Sequence, residues 1–527
     1  MSLPAVGGGA PARLGRGTLR RVPRQCRQRT APAGLPAGIV HLGVGAFHRA
    51  HQAVFTEDAV AAAGGDWGIV AVAPRSRAVI DQLAEQDLLY SVTSLSAEAA
   101  ATRVVGVLTG LLHAPSDPEA VVARIADPAT RILTLTVTEK GYRLDPARGG
   151  LRAGDPEVLA DLAGARPPRT VPGMLAWGLA RRAQAGGPSL AVLSCDNLAR
   201  NGRRLAAVVG DALDLLRPPL SERARAWVER NVTFPCSMVD RVVPAPGEAS
   251  RARAAAALGL VDLAALDAEP FQQWVVQDAF PAGRPAWELA GAELGGDDDV
   301  AAWEELKLRV LNGMHSTLAY LGALAGCATI ERALALPGMR ALLVRLLRED
   351  IAPTLTPPPG VNLERYGEAV LERFANPRIG YPTRQVAMDG SQKLPQRLLP
   401  TIADRLHAGA EPRWAALALA AWMRFVTGRD DRGAPLPLDD PLAQRIGATA
   451  AAAQPHGPRA LAEALLGLAE VFPEALRADR LLLDLLAEWL ASLERGGAAG
   501  TLAHLEPRRP GPAGPGAART APRETAG

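Results

Sequence analysis

From Gly38 to about residue 287 the sequence alternates short apolar, β-branched runs with helical patterns, and from 296 to 505 only helical periodicity is left. That switch constrains the fold more than any other feature. Alternating strand and helix closes into a parallel sheet covered on both faces, whereas a helix-only stretch buries its apolar stripes helix against helix. At 527 residues the chain is also too long for one hydrophobic core. The expected fold class is α/β then all-α: a doubly wound sheet domain over 36–295, followed by an all-helical domain over 296–505. The Gly-Gly-Asp-Asp-Asp run at 295–299, a loop and helix-start signal, marks the boundary. The first 35 residues, rich in Arg, Gly and Pro, are expected to form a mobile arm, and 506–527 a disordered tail.

The first strand region reads GIVHLGVGAFHRAHQAVFTEDAV from Gly38 to Val60. Strand, glycine turn and helix start in that order aim backbone N–H groups at one point, as a Rossmann-type domain does to hold a dinucleotide pyrophosphate. Gly43 and Gly45 take the first two glycine places of that fingerprint, with Ala46 and Phe47 opening the helix, and His48 stands at the third. Alone, such a turn is equally compatible with a tight turn that binds nothing. A second strand, DWGIVAVAP, ends in Pro74-Arg75-Ser76-Arg77. An acid after this strand would select the ribose 2′-hydroxyl of NAD and an arginine the 2′-phosphate of NADP, so Arg75 leaves both cofactors open. Arginines in a surface turn are otherwise simply solvated.

A helix over 76–86, a strand through LLYSVTSL and further strands in RVVGVLTGLL and RILTLTVTEKGY continue the alternation. Glu139-Lys140-Gly141 falls just past the carboxyl end of the last of these, where doubly wound sheets place their ligands. SLAVLSCDNLARNG sets Asp196, Asn197 and Asn201 after another strand. Helix capping accounts for Asn201, whereas for Asn197 capping and chemistry are balanced. FPCSMVDRVVPAP carries Asp240 between apolar runs.

Chemistry is expected above all in WEELKLRVLNGMHS, Trp303 to Ser316. On a helix turning about 100° per residue from Lys307, Glu304 falls at about 60°, His315 at about 80° and Asn312 at about 140°. The same arc holds Leu311 and Leu318, so a carboxylate, an imidazole, an amide and an ammonium share a partly apolar face, which is costly unless used. Only three of the 58 basic residues are lysines, Lys140, Lys307 and Lys393, and the other 55 are arginines. Arginine supplies a permanent cation, but only lysine can give up its proton when desolvated. A lysine kept on this face reads as an acid/base group; the plainer alternative is an ordinary ion-pair partner that escaped the composition bias.

Other classes are excluded or disfavoured. Net charge is +3 with no basic stripe interleaved with aromatics, which argues against nucleic acid. Cys26, Cys195, Cys236 and Cys327 form no CxxC pair, so neither structural zinc nor a disulfide framework is expected, and a cytoplasmic setting fits. No run of eighteen apolar residues exists to span a membrane. Within the helical half, AMDGSQKLPQR is expected to interrupt the pattern with a glycine turn carrying Lys393.

GVGAFHRAHQ, TVTEKGY, SCDNL, FPCSMVDR, WELAGAE, KLRVLNGMHS and DGSQKLPQR, in that order, resemble the polyol-specific long-chain dehydrogenases, the mannitol dehydrogenase family. The resemblance runs from Gly38 to about residue 500, and it implies zinc-independent hydride transfer with NAD, NADP remaining possible. It makes Lys307 the general base of alcohol oxidation and acid of ketone reduction. Asn197 and Asn312 become the amide pair on the reacting oxygen, His315 the residue orienting substrate, and Glu304 a lining of the proton path. Asp240 and Lys393 match substrate-pocket positions. Mannitol-oxidising members carry an arginine that contacts the polyol where Gln385 stands here, with Arg384 beside it. TRQVAMDGSQKLPQR and LNGMHSTLAYLG look closer to the fructuronate reductase (mannonate oxidoreductase) branch, implying a small sugar acid, D-mannonate or D-fructuronate, as substrate. Mannitol or arabinitol dehydrogenation and a non-catalytic sugar-acid sensor are the alternatives, and a monomer is expected. The chemistry fits the residues: hydride leaves a carbinol carbon as its hydroxyl loses a proton, which a desolvated lysine accepts while amide N–H groups hold the oxygen. No tyrosine has a lysine four residues on, which excludes the Tyr-x-x-x-Lys arrangement.

Overall fold

The computed structural model describes residues 12–29, 34–145 and 148–505. The alternating half forms a six-stranded sheet in the order β5-β2-β1-β6-β7-β8. Its strands are β1 (Ala37–Leu42), β2 (Gly68–Ala73), β5 (Leu108–His113), β6 (Ile132–Leu135), β7 (Leu190–Ser194) and β8 (Val232–Thr233). Every pairing is parallel. This is the doubly wound order of a Rossmann domain, which reverses between β1 and β6. The strands are apolar throughout because helices cover both faces: Val40, Leu42, Leu133 and Val192 pack with Val121, Leu175, Leu179 and Val209 on one side, and Ile39, Ile69 and Ala71 with Val54, Phe55 and Leu83 on the other.

One expected strand leaves this sheet and another divides between it and a smaller one. LLYSVTSL becomes β3 (Tyr90–Leu95), which pairs antiparallel with β4 (Ala100–Val105) and parallel with β10 (Leu266–Ala268). The run through Arg103–Leu112 splits because the Gly106 N–H turns aside to the buried Glu57 carboxylate at 2.7 Å. A third small sheet joins β9 (Ser237–Asp240), β11 (Gln273–Gln277) and β12 (Glu293–Gly295).

Two compact units divide the chain: Met1–Leu308 with Leu355–Asn362 and Asn376–Tyr381, and Arg309–Thr354 with Leu363–Ala375 and Pro382–Gly527. The break falls later than the expected 295, because the helix Asp297–Leu306 buries Val300 against Met238 and Val275 of the first unit. The expected mobile arm is also corrected over residues 12–29. Leu14, Val22 and Cys26 are buried with Leu89, Val104, Leu258 and Leu260, and Leu14 and Val261 are joined by a backbone hydrogen bond of 2.9 Å. The remainder of that segment before residue 12, and the 506–527 tail, lie outside the described residues.

Among its described residues the second unit has no β-strand. Gly313–Leu324 is buried on every side, as a central helix must be, and Arg413–Phe425 nearly so. DGSQK departs from expectation: the turn is confined to Asp389, at φ +55°, and Lys393 sits on the helix Gly390–Arg397. Asp389 begins that helix in a left-handed conformation, so what reads as a glycine turn is a helix start.

Candidate active site

At the point where the strand order reverses, β1 runs into Gly43 and β6 into Thr136. Gly43 has φ +111°, and a Cβ placed there would lie 2.1 Å from the Thr136 carbonyl oxygen. Only glycine fits such an approach, which leaves bare backbone at the sheet's carboxyl edge. Gly45 precedes the helix Ala46–Ala50, and Gly45, Ala46 and Phe47 are at least partly exposed around that edge. Bare backbone, a helix start and the reversal point together fit a dinucleotide pyrophosphate.

A polar network under this turn was not anticipated. His41 Nδ1 lies 2.8 Å from Thr134 Oγ1, and Nε2 lies 3.0 Å from the Gly43 carbonyl and 2.9 Å from Thr136 Oγ1. The Gly43 carbonyl is an acceptor only, so Nε2 carries the proton and Nδ1 accepts from Thr134. Burial pushes His41 down to about 3, which keeps it neutral. His48, at the third fingerprint place, stacks on it with ring centroids 3.3 Å apart. The signal was present: a histidine inside GIVHL, and threonines two apart in LTLT, are polar groups on buried strand faces.

Lys307 lies in the first unit. It is 5% exposed, and Nζ donates to Asn197 Oδ1 at 2.5 Å and to the Val239 carbonyl. Because an ammonium only donates, Asn197 must turn its oxygen to the lysine and its NH₂ away. Asn197 itself is exposed, so that amide faces outward. Its loop is clamped from below: Asp196 accepts from the N–H groups of Val137 and Thr138 at 3.0 and 2.9 Å and from Tyr142 Oη at 2.7 Å. Burial raises Asp196 to about 6 against those donors. Asn201 does not cap its helix; it bridges the Asp196 and Ser237 carbonyls and accepts from the Ser237 N–H, tying β7 to β9. Arg200 takes the cap position at φ +50°, and its N–H meets both oxygens of Glu304 at 3.1 and 2.9 Å. Burial pushes Glu304 up to about 7, opposed by that N–H and by Lys307. Asp240 ends β9, one residue beyond the carbonyl that holds Lys307, and is buried.

The helical wheel drawn through Lys307 needs correction. Residues Lys307–Asn312 form a π-helix, whose rings close i→i+5, so the α-helical angles do not carry across it. Such widenings occur mostly at functional sites. In the second unit, Asn312 is buried at the start of Gly313–Leu324, and His315 stacks on Phe374 with centroids 4.8 Å apart. Lys393 Nζ donates to the Val386 carbonyl at 3.1 Å, and Arg384 is exposed. Arg75, in the first unit, is exposed after β2. Among the described residues no three His, Cys, Asp or Glu gather as metal ligands, and no helix is long and apolar enough to cross a membrane.

Comparison with known proteins adds the lineage. Residues 37–289 match the mannitol dehydrogenase Rossmann domain and 299–492 the mannitol dehydrogenase C-terminal domain. The uncharacterized oxidoreductase YeiQ of Escherichia coli (strain K12) is 42% identical over 458 residues, 86% of this chain and 90% of the relative. The D-mannonate oxidoreductase of the same organism is 41% identical over 449 residues, 84% and 90% of the two chains. Among solved structures, Pseudomonas fluorescens mannitol 2-dehydrogenase in ternary complex with NAD and D-mannitol superposes with TM-score 0.84 at 33% identity, over 94% of this chain and 99% of that one. With a buried lysine held by the amide of Asn197, a bare-backbone turn at the Rossmann reversal point and both family domains in sequence, the chain belongs to the mannitol dehydrogenase family of oxidoreductases.

Proposed function

We propose that the chain interconverts D-mannonate and D-fructuronate by hydride exchange with NAD. The observation that carries the reading is the fixing of the buried Lys307 Nζ by Asn197 Oδ1 and the Val239 carbonyl, which holds a titratable amine in one place beside an amide. Gly43, Gly45, Ala46 and Phe47 hold the dinucleotide, which when bound supplies the hydride acceptor or donor. Lys307 takes the hydroxyl proton in oxidation and returns it in reduction. Asn197, its oxygen committed to Lys307, donates its outward N–H to the substrate oxygen, stabilising charge as the proton leaves. Glu304, raised to about 7, exchanges protons at physiological pH and relays them to Lys307. Asn312 and His315 keep the amide-donor and orienting roles of the resemblance, and Asp240, Lys393 and Arg384 those of substrate binding, the two cations suiting a carboxylate.

The E. coli D-mannonate oxidoreductase supports the sugar acid, as does Gln385 where mannitol-oxidising members carry arginine. Similarity to the P. fluorescens enzyme holding D-mannitol favours a polyol instead. NADH absorbance measured with each substrate decides: turnover of mannonate, with mannitol slow or inert, supports the proposal, and turnover of mannitol alone rejects it. A sugar-acid sensor would keep ligand binding in Lys307→Ala and show no turnover in the native protein. All four cysteines are unpaired, which supports a cytoplasmic setting. The monomer is a proposal tested by light scattering.

A further inference from the structure

Tyr142, the last residue of the TVTEKGY run, has no part in the chemistry proposed above, yet its hydroxyl is the hub of a buried polar network within the first unit. Tyr142 Oη donates to Asp196 Oδ2 at 2.7 Å and lies 2.6 Å from Ser194 Oγ. An ionised carboxylate only accepts, so the one phenol proton goes to Asp196 and Ser194 donates to Tyr142. Asp196 also accepts from the N–H groups of Val137 and Thr138 at 3.0 and 2.9 Å. Thr138 stands at φ +62°, a left-handed conformation that a β-branched residue seldom takes. The loop after β6 is thus held, against its own preference, to the residue that precedes Asn197.

The same network reaches β9. Ser237 Oγ donates to the Ser194 carbonyl at 2.7 Å, and Asn201 Nδ2 donates to the carbonyls of Asp196 and Ser237 at 3.0 and 2.7 Å. Tyr142, Ser194, Asn201 and Ser237 are all buried, so these bonds are costly to leave unmade. The groups that hold Lys307 stand on the same two strands: Asn197 Oδ1 just past β7, and the carbonyl of Val239 on β9. The network therefore fixes where the end of β7 stands against β9, and with it where the Asn197 amide meets the lysine. Placement of this kind matters to rate, since a shift of about 1 Å can cost about a hundredfold.

We propose that Tyr142, Asp196 and Ser237 are positioning residues that act through the Asn197 amide, setting it between Lys307 and the substrate oxygen. The proposal rests on the role given to Asn197 above, and it gives the TVTEKGY run a part in that role.

Steady-state rates of the full-length protein with D-mannonate and NAD⁺, and with mannitol and NAD⁺, are compared in the native chain, Tyr142→Phe, Asn197→Ala and the double variant. Tyr142→Phe keeps the ring and removes the hydroxyl, and its melting temperature checks that it is folded. It is expected to lower kcat by at least about tenfold with KM within about threefold of native, because the lost placement matters most as the substrate hydroxyl gives up its proton. Added to Asn197→Ala, it is expected to lower kcat by no more than about a further twofold, because the amide it places is gone. A smaller loss in Tyr142→Phe, a loss carried by KM, or a further loss beyond that limit in the double variant, as general loosening would give, overturns the inference and leaves the proposed function in place. Native kcat in Asn197→Ala overturns the role given to that amide, and turnover of neither substrate by the native chain overturns the proposed function; the inference falls with either. Should Tyr142→Phe not fold, Ser237→Ala, which releases the Ser194 carbonyl and leaves Tyr142 and Asp196 in contact, is read in the same cycle against the same limits.

Discussion

Lys307 shows how much one side chain carries. Its amine is buried, and it donates to an amide oxygen and a backbone carbonyl that hold it in place. Lys307→Ala is expected to lower kcat by about 10²–10⁴-fold, the usual worth of a general acid/base, while dinucleotide affinity by titration stays in the native range. A residual rate within about threefold of native would remove Lys307 from the chemistry. Glu304 makes a separate prediction. Burial holds its carboxyl at about 7, so it is neutral below and ionised above that pH. The native pH profile of kcat should show an inflection near 7 that is absent in Glu304→Gln. Persistence of the inflection in the variant would assign it to another group.

Elements explain why some of this was legible in the sequence and some was not. The turn at Gly43 was readable because strand, glycine and helix start are neighbours in the chain. Its requirement for glycine is spatial, a carbonyl arriving from β6, and no local pattern announces that. Gly43→Ala forces a methyl group within 2.1 Å of the Thr136 oxygen at φ +111°. Strain of this kind costs about 1–3 kcal/mol, so a lower melting temperature and at least about tenfold weaker dinucleotide binding are expected, both measurable on one sample. Native affinity in this variant would show that the turn does not carry the pyrophosphate. The π-helix at Lys307–Asn312 escaped the sequence because residue type does not distinguish i→i+4 from i→i+5 rings. Residues 12–29 escaped because composition averages over Leu14, Val22 and Cys26, three apolar side chains that suffice to dock the segment. The split of Arg103–Leu112 needed knowledge of Glu57, far away in sequence. Lys307, by contrast, stood out through its rarity among arginines, a signal that needs no structure.

At the scale of the whole chain, the two units differ in what acid does to them. The first buries three histidines, His41, His48 and His51, all pushed down by burial, the first and last to about 3. Unfolded, each titrates near 6.5. Below that pH the unfolded state binds more protons than the folded one, so stability falls with falling pH by about 1.4 kcal/mol per pH unit per group. Raised carboxyls act in the opposite sense. Glu57, Asp196 and Glu304 in the first unit bind protons when folded at pH values where the unfolded chain has released them, and so they oppose the histidines down to about pH 4, near the unfolded carboxyl values. Below about pH 4 that opposition ends, and the histidines act together with Asp155 and Asp278, whose lowered values also cost stability as they protonate. The second unit holds Asp350, raised by burial to about 6, and Asp431, also raised. Acid from pH 6 to 4 therefore favours the folded state at Asp350 and Asp431 of the second unit, and further acid unloads the first. Hydrogen exchange followed peptide by peptide between pH 6 and 3.5, corrected for intrinsic rates, should show β1 and the helix Gln52–Ala63 losing protection while the helix Arg413–Phe425 retains it. Simultaneous loss in both would mean that the units unfold as one, and that the histidines beneath the glycine turn do not set the acid limit of the fold.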